Sequence, residues 1–228
     1  MGSTFDYLAD LRARIDQLDT EILSQLAARM AVSAEVAAAK GKTDEIYRPG
    51  RESALLQRLT SDTHGLDPKI IKGIWRQILS ASIARQKPDF TIACTPQTLS
   101  TSTQLAAGHL HLEPLTSASQ ALDKLDRRQA DLAIIGQAEL APYLSTLGPS
   151  HARFIHGAHH QPDGDIHFVL ARYLPDPSGD DNSWFIQPDA AATANGFALF
   201  SQNGYQQPDG KRADDEAVLV GMSATYPA

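Results

Sequence analysis

The chain of 228 residues contains a single cysteine, Cys94, so it cannot form an intrachain disulfide. A lone thiol is typical of a reducing compartment, and such a residue is usually a small buried apolar side chain. A basic excess is also missing, because the formal net charge is -7. A nucleic-acid surface would need the opposite balance, so we expect no nucleic-acid partner.

The first residues lack the apolar core of a secretory signal, and Asp6 stands where a myristoylation signal requires Ser or Thr. No uninterrupted apolar run approaches the ~20 residues of a membrane span. These absences predict a cytoplasmic protein that has no contact with a membrane.

A long first helix is predicted from the spacing of its apolar residues. From Leu8 to Met30 they recur at steps of three and four, and small residues continue the pattern to Lys40, where Gly41 supplies a C-cap. At ~1.5 Å per residue this helix would be roughly 50 Å long. The short helices that follow are not long enough to bury it, which implies a partner copy.

Two shorter helices follow before residue 88. The turn Tyr47-Arg48-Pro49-Gly50 begins the second, which ends near Ser61. Asp67 is the predicted N-cap of the third, which ends before Pro88.

Beyond Pro88 the pattern changes to β-α-β-α-β. The predicted elements are strand 90–94, helix 119–128, strand 130–136, strand 166–173, loop 175–182, strand 183–186, a helical turn at 191–200, loop 206–216 and strand 217–220. The fold class is therefore multi-domain. An all-α domain of three helices covers residues 1–88, and a small α/β domain covers residues 89–228.

Three cations and one acid lie close together in the sequence around residues 40–52. Lys40 ends the first helix, and Arg48, Arg51 and Glu52 begin the second. If they share a pocket, its ligand is a small polyanion that also carries a hydroxyl. Glu52 precedes Leu55 and Leu56 by three and four residues, so it points inward or lies solvated in the first turn.

Two further arginines extend this set along the first helix. Arg29 and Lys40 are eleven residues apart, so they share a face at roughly 16 Å. Arg12 lies about 25 Å from Arg29, too far for both to touch one small ligand from the same chain. If Arg12 belongs to the site, a second subunit provides it.

On the third helix the core-facing series Ile71, Ile74 and Ile78 continues to Ser82 and Gln86. Polar side chains at such positions need hydrogen-bond partners, so they are either ligand-binding residues or part of a frayed helix end.

Taken together, these residues resemble the all-helical chorismate mutases, and most closely the mutase domain of bifunctional chorismate mutase/prephenate dehydratase proteins. The resemblance covers about residues 5–87 and includes a Tyr-Arg-Pro-x-Arg-Glu turn. The polar residues that carry the resemblance are Arg12, Asp16, Asp19, Arg29, Glu35, Lys40, Arg48, Arg51, Glu52, Ser82 and Gln86.

This resemblance implies an intertwined helical homodimer that converts chorismate to prephenate without a cofactor or a metal. Arg12 from the partner, Arg29 and Arg51 would bind the two substrate carboxylates, with Ser82 assisting. Lys40 and Gln86 would donate to the ether oxygen, and Glu52 would accept from the ring hydroxyl. The catalytic set is then Lys40, Glu52, Gln86 and Arg29. Arg48 departs from the pattern, since some members have an acid there.

Two alternatives stay open. An isochorismate-pyruvate lyase on the same helical fold would use a related site. A regulatory or binding protein that senses aromatic amino acids would keep the fold without the reaction.

The second half has a weaker resemblance to prephenate dehydratase domains. Residues 93–100 and the Ala130-Asp131 start of a strand carry it, but a Thr-Arg-Phe motif is missing from the sequence. We therefore expect a reduced, non-catalytic relative. The side chains His156, His159, His160, His167, Asp163 and Asp165 lack a recognised ligand spacing, so a polar loop is favoured over a metal site.

Overall fold

The computed structural model describes residues 4–41, 45–189, 196–206 and 217–224, with the side chains of all but residues 4–6 and 40. Helices are followed by an α/β domain, which confirms the predicted fold class. The chain divides into two compact units, Met1–Thr43 and Asp44–Ala228. Within the described residues the first unit is one long helix, whereas the second contains five α-helices, a 3-10 helix and a sheet. The domain boundary at residue 88 and the dimer stay predictions.

Helix α1 (Thr4–Lys40) is uninterrupted over 37 residues. Gly41 ends it as predicted, with a φ of 69° and an N–H that donates to the Ala38 carbonyl at 3.3 Å. Eight large apolar side chains of this helix are 45–68% exposed; they are Tyr7, Leu8, Ile15, Leu18, Ile22, Leu23, Val32 and Val36. The helix therefore exposes a long apolar surface.

The sequence predicted that no segment could span a membrane, and α1 requires a correction to that prediction. An 18-residue window within Tyr7–Ala39 has a mean hydropathy of 1.2, so by length and composition alone this helix could cross a membrane. A helix from a soluble helical bundle can have the same length and hydropathy when its partner helices are absent. Arg29 and Glu35 lie in this segment, and each charge at a bilayer centre would cost about 3 kcal/mol.

Two helices begin the second unit, α2 (Pro49–Ser61) and α3 (Pro68–Gln86). Asp67 caps α3 as predicted, because its Oδ1 accepts from the Lys69 N–H at 2.8 Å. On α3, Ile71 and Ile78 are buried, but Ile74 is 47% exposed, so the prediction that it faces the core is wrong for this chain alone. Three residues turn a helix by about 300°, which moves Ile74 roughly 60° away from Ile71.

The described residues form one eight-stranded sheet in the order β2-β1-β3-β5-β4-β8-β6-β7. Strands β1, β2 and β3 are parallel, and β3–β5, β4–β5, β6–β7 and β6–β8 pair antiparallel. The strands are β1 (Thr91–Cys94), β2 (His111–Pro114), β3 (Leu132–Gly136), β4 (Phe154–His160), β5 (Ile166–Ala171), β6 (Asp181–Pro188), β7 (Phe197–Asn203) and β8 (Val218–Ala224). The intervening helices are α4 (Leu99–Ala106), α5 (Ala118–Asp126) and α6 (Gln137–Leu140), which a 3-10 helix (Ala141–Thr146) continues.

A core lies on each face of the sheet, because side chains alternate along each strand. Ala93 packs with α5 on one face, whereas Ile92 and Cys94 pack with α4 on the other. The second core also contains Tyr47 and Ile83, which are 1% and 6% exposed. Residues from the predicted helical domain thus cover the sheet.

The β-α-β-α-β pattern is confirmed by β1-α4-β2-α5-β3, although α4, β2 and β4 were not predicted. The helical turn expected at 191–200 is wrong where it can be judged: residues 197–200 begin β7, and residues 191–195 lie outside the described part. The neighbouring β6 provides a hydrogen-bonding partner that the local sequence does not reveal. Most of the expected loop 206–216 also lies outside the described residues.

Candidate functional site

Glu52 in the first turn of α2 is buried, with 5% of its surface exposed. Its Oε2 accepts a hydrogen bond from Nη1 of Arg76 on α3 at 3.2 Å. A buried carboxylate without a compensating charge is costly, so Arg76 offsets that cost and orients Glu52. A carboxylate can accept several hydrogen bonds, so Glu52 can bind a ligand hydroxyl while it stays bonded to Arg76.

Ser82 and Gln86 lie on α3, one turn apart. Ser82 is 6% exposed, and its Oγ donates to the Ile78 carbonyl at 2.8 Å. Gln86 Nε2 donates to the Ser82 carbonyl at 3.1 Å. Both polar groups are thus satisfied in part by their own helix.

Arg48 and Arg51 both lie against Asp176, in the loop between β5 and β6. Arg48 Nε is 3.2 Å from Asp176 Oδ2, and the Arg51 backbone N–H donates to the same oxygen at 3.0 Å. The Arg51 side chain is exposed. Arg48 and Glu52, which we expected to share a pocket, therefore have different charged partners in this structure.

The remaining predicted site residues lie on α1, in the first unit. Arg12 is exposed and Arg29 is half-buried, whereas the Lys40 side chain lies outside the described residues. Because α1 is continuous, the separation of Arg12 and Arg29 along it stays about 25 Å. Arg48, Arg51, Glu52, Ser82 and Gln86 all belong to the second unit.

Two charged residues of this region were not predicted, Arg76 and Asp176. A signal for Arg76 does exist in the sequence, since Leu79 and Ser80 follow it by three and four residues and are buried. That spacing places Arg76 beside the inward face of α3. Asp176 lies in a polar loop 124 residues after Glu52, and no local pattern connects it to α2.

The histidines occupy strands, so the expectation of a polar loop is wrong for them. His156, His159 and His160 lie on β4, and His167 lies opposite His159 on β5. Within the described residues, no three His, Cys, Asp or Glu side chains are arranged to hold a metal ion. His167 Nδ1 is instead 2.7 Å from the Thr101 hydroxyl.

His156 is fully buried, and its Nε2 contacts the Tyr173 carbonyl. Because a carbonyl can only accept, Nε2 carries the proton and Nδ1 is an acceptor. Burial lowers the pKa of His156 to about 4, although the Tyr173 carbonyl and Asp176 act in the opposite direction. The imidazole is therefore neutral near pH 7.

Cys94 is buried, as predicted. Burial raises the pKa of its thiol, and a hydrogen bond with Ser102 opposes this in part. A thiol in this environment is a packing group rather than a nucleophile.

Comparison with solved structures finds two low-scoring likenesses. One is GqqA, described as a novel type of quorum quenching acylases, at 15% identity and a TM-score of 0.41 over 60% of this chain and 96% of that chain. The other is prephenate dehydratase from Streptococcus mutans, at 9% identity and a TM-score of 0.41 over 60% of this chain and 100% of that chain. At these scores neither likeness carries an argument about fold or activity.

Comparison with protein families gives a match over the three helices. Residues 11–87 match the family described as chorismate mutase type II. The T-protein of Haemophilus influenzae (strain ATCC 51907 / DSM 11121 / KW20 / Rd) is 33% identical over 87 residues. That alignment covers 37% of this chain and 23% of the T-protein, so the chain spans about a quarter of that relative. The family match therefore covers about a third of this chain, and it supports the resemblance to chorismate mutases over residues 11–87 alone.

Proposed function

We propose that residues 11–87 convert chorismate to prephenate, a step toward phenylalanine and tyrosine. The observation that carries this proposal is the family match across all three helices. The buried, arginine-paired carboxylate of Glu52 supports it, because such a group is a preorganised acceptor for a substrate hydroxyl.

The reaction is a unimolecular rearrangement, so the site needs no nucleophile, metal or cofactor. Arg29 and Arg51 bind the substrate carboxylates with Ser82, and Lys40 and Gln86 donate to the ether oxygen as its bond to carbon breaks. Glu52 accepts from the ring hydroxyl, and Arg48 orients α2 through Asp176. A 10⁶-fold acceleration asks for roughly 8 kcal/mol, which several charge-assisted hydrogen bonds can supply together.

A homodimer follows from two features of α1. Its apolar stripe is exposed in the single chain, and an exposed apolar surface of this kind favours association. Arg12 and Arg29 lie about 25 Å apart on one straight helix, so one substrate cannot reach both from the same chain. Arg12 of the partner then joins the site of this chain, in a cytoplasmic enzyme.

For residues 89–228 we propose a non-catalytic α/β domain related to prephenate dehydratases, with the boundary at residue 88. The isochorismate-pyruvate lyase and the aromatic amino acid sensor remain the alternatives. Release of pyruvate from isochorismate would favour the lyase. Binding of phenylalanine or tyrosine without chorismate turnover would favour the sensor.

The test is a chorismate assay on the wild-type chain, Arg29→Ala and Arg14→Ala. Arg29→Ala is expected to lower kcat/KM at least about hundredfold, since it removes a charged donor to the substrate. Arg14→Ala, an exposed arginine on the same helix, is the matched control and keeps wild-type turnover. Unchanged turnover in Arg29→Ala would overturn the site assignment.

A further inference from the structure

A cavity lies beside the Glu52–Arg76 pair, within the second unit. It has a volume of about 230 Å³ and is lined by Leu56, Lys72, Arg76, Thr101, Gln104, Leu105 and His159. It adjoins a second cavity of about 500 Å³ that shares Thr101, Gln104 and His159 with it. Nothing in the proposed mutase reaction uses Lys72, Thr101 or His159.

One wall of the cavity is positively charged. Lys72 and Arg76 are four residues apart on α3, so their side chains share one face of the helix. Arg76 Nη1 is bonded to Glu52 at 3.2 Å. A ligand carboxylate that reaches this guanidinium competes with Glu52 for its donor hydrogens.

Another part of the wall is apolar. Leu56 of α2 and Leu105 of α4 are 4% and 5% exposed, and both line the cavity. A cavity with two cations beside two leucines suits a molecule with one anionic end and an apolar body. Phosphate or another compact polyanion would gain nothing from contact with the leucines.

The back of the cavity holds neutral hydrogen-bonding groups. Thr101 is 5% exposed, and its hydroxyl is shared with His167 Nδ1 at 2.7 Å and Gln161 Nε2 at 3.3 Å. Burial, followed by the charge of Arg76, lowers the pKa of His159 to about 4. His159 is therefore neutral near pH 7 and adds no charge to this wall.

We propose that this cavity binds a small organic monocarboxylate, with its carboxylate on Lys72 and Arg76 and its apolar body against Leu56 and Leu105, in competition with Glu52 for Arg76. The cavity is smaller than the 300–1,000 Å³ or so of drug-sized sites, which limits the ligand to a compact molecule. The consequence for turnover rests on the proposed mutase function, because it acts through Glu52. A bound carboxylate draws Arg76 away from Glu52 and lowers chorismate turnover.

The test is a calorimetric titration of the full chain with phenylacetate, which carries one carboxylate on an apolar ring. Saturable 1:1 binding is expected, and phenylacetamide, its neutral counterpart, is expected to bind at least about tenfold more weakly. Inorganic phosphate should not displace phenylacetate. Equal affinity for the acid and the amide would overturn the proposal.

Variants locate the binding. Lys72→Gln is expected to weaken phenylacetate at least about tenfold, and Lys72→Arg to restore it, as the charge is retained. Lys69→Gln, at an exposed lysine on the same helix, is the matched control and binds as the wild type does. Arg29→Ala should also bind normally. Loss of binding in Arg29→Ala with normal binding in Lys72→Gln would place phenylacetate in the mutase site and overturn the proposal.

The chorismate assay separates this inference from the proposed function. Phenylacetate is expected to inhibit the wild-type chain, with an inhibition constant raised in Lys72→Gln by the same factor as the dissociation constant. A chain that binds phenylacetate through Lys72 without turning over chorismate would refute the mutase and keep the binding site. A chain that turns over chorismate and binds no phenylacetate would refute the binding site alone.

Discussion

Asp176 caps α2 from a distant part of the chain: its Oδ2 accepts from the Arg51 backbone N–H at 3.0 Å. The N-cap residue itself is Arg48, whose side chain makes no capping hydrogen bond. Asp176 thus replaces the local Ser, Thr, Asp or Asn that usually accepts from the first turn. The same oxygen is 3.2 Å from Arg48 Nε, so one carboxylate fixes the start of α2.

Replacement of this cap should weaken the fold. Asp176→Ala is expected to lower the free energy of unfolding by about 1 kcal/mol, the usual cost of losing an N-cap acceptor. Chemical denaturation measures it. Asp180→Ala, at an exposed aspartate of the same loop, is the control and should change stability by less than about 0.5 kcal/mol. Equal stability of the two variants would contradict a capping role for Asp176.

A methyl group at residue 50 should be poorly tolerated. A Cβ on Gly50 would lie 2.1 Å from the Asp176 carbonyl oxygen, whereas a Cβ on Gly73 meets nothing within 4 Å. Gly50→Ala is expected to destabilise the protein by at least about 2 kcal/mol, because backbone must shift. Gly73→Ala, inside α3, should stabilise it by up to about 1 kcal/mol through helix propensity. The midpoint temperature of thermal unfolding measures both effects. A Gly50→Ala variant that is more stable than the wild type would refute the close contact.

Acid should destabilise the protein in part through His156. Its pKa is about 4 in the folded chain and about 6.5 when unfolded, so the unfolded state binds more protons below pH 6.5. Stability therefore falls as the pH falls from 6.5 toward 4, by about 2 kcal/mol between pH 7 and pH 5. In chemical denaturation, the free energy of unfolding of His156→Gln should fall by about 2 kcal/mol less than that of the wild type between pH 7 and pH 5. His151→Gln, at an exposed histidine, should behave as wild type.

Two inactive variants should restore activity when mixed. In the proposed dimer, Arg12 serves the partner's site and Arg29 its own, so a heterodimer of Arg12→Ala with Arg29→Ala keeps one intact site. Co-refolding equal amounts forms heterodimers from half of the dimers, which gives about a quarter of wild-type chorismate turnover. If the mixture is no more active than its components, Arg12 does not act across subunits.

A charge on the apolar stripe of α1 should prevent dimerisation. Ile22 is 57% exposed in the single chain, and a glutamate there would be buried unpaired in a dimer. Ile22→Glu is expected to sediment as a monomer in analytical ultracentrifugation. Ser24→Glu adds the same charge on the opposite side of the helix and should leave the dimer intact. Dimers of Ile22→Glu would exclude this stripe as the interface.

Local signals predicted the helical part well. Pro49 and Asp67 marked two helix starts that the structure confirms. Helix period allowed Glu52 to point inward or to lie solvated, and the structure buries it. Local signals did not predict α4, whose residues Leu99–Ala106 are half Ser and Thr. Its N-cap residue Thr98 donates through Oγ1 to the Ile134 carbonyl of the sheet at 2.8 Å. That element depends on contacts with the sheet, which no short window of sequence contains.

The partners of the candidate site were harder to predict than its members. The family resemblance identifies Glu52, but its bond to Arg76 depends on how α2 and α3 cross. The bond between Asp176 and Arg51 joins residues 125 positions apart. The roles of Arg12, Arg29 and Lys40 are still predictions, since they depend on a second chain or on a side chain outside the described residues.

Tyr47 connects the start of α2 to the sheet through its packing. Its ring is 1% exposed and packs in the same core as Phe90 and Ile92 of the sheet, and its carbonyl accepts from the Tyr173 hydroxyl at 2.8 Å. In a fragment of residues 1–88 alone, this aromatic ring would be exposed to water. A chimera that takes residues 1–88 from a relative would therefore also need the sheet of that relative.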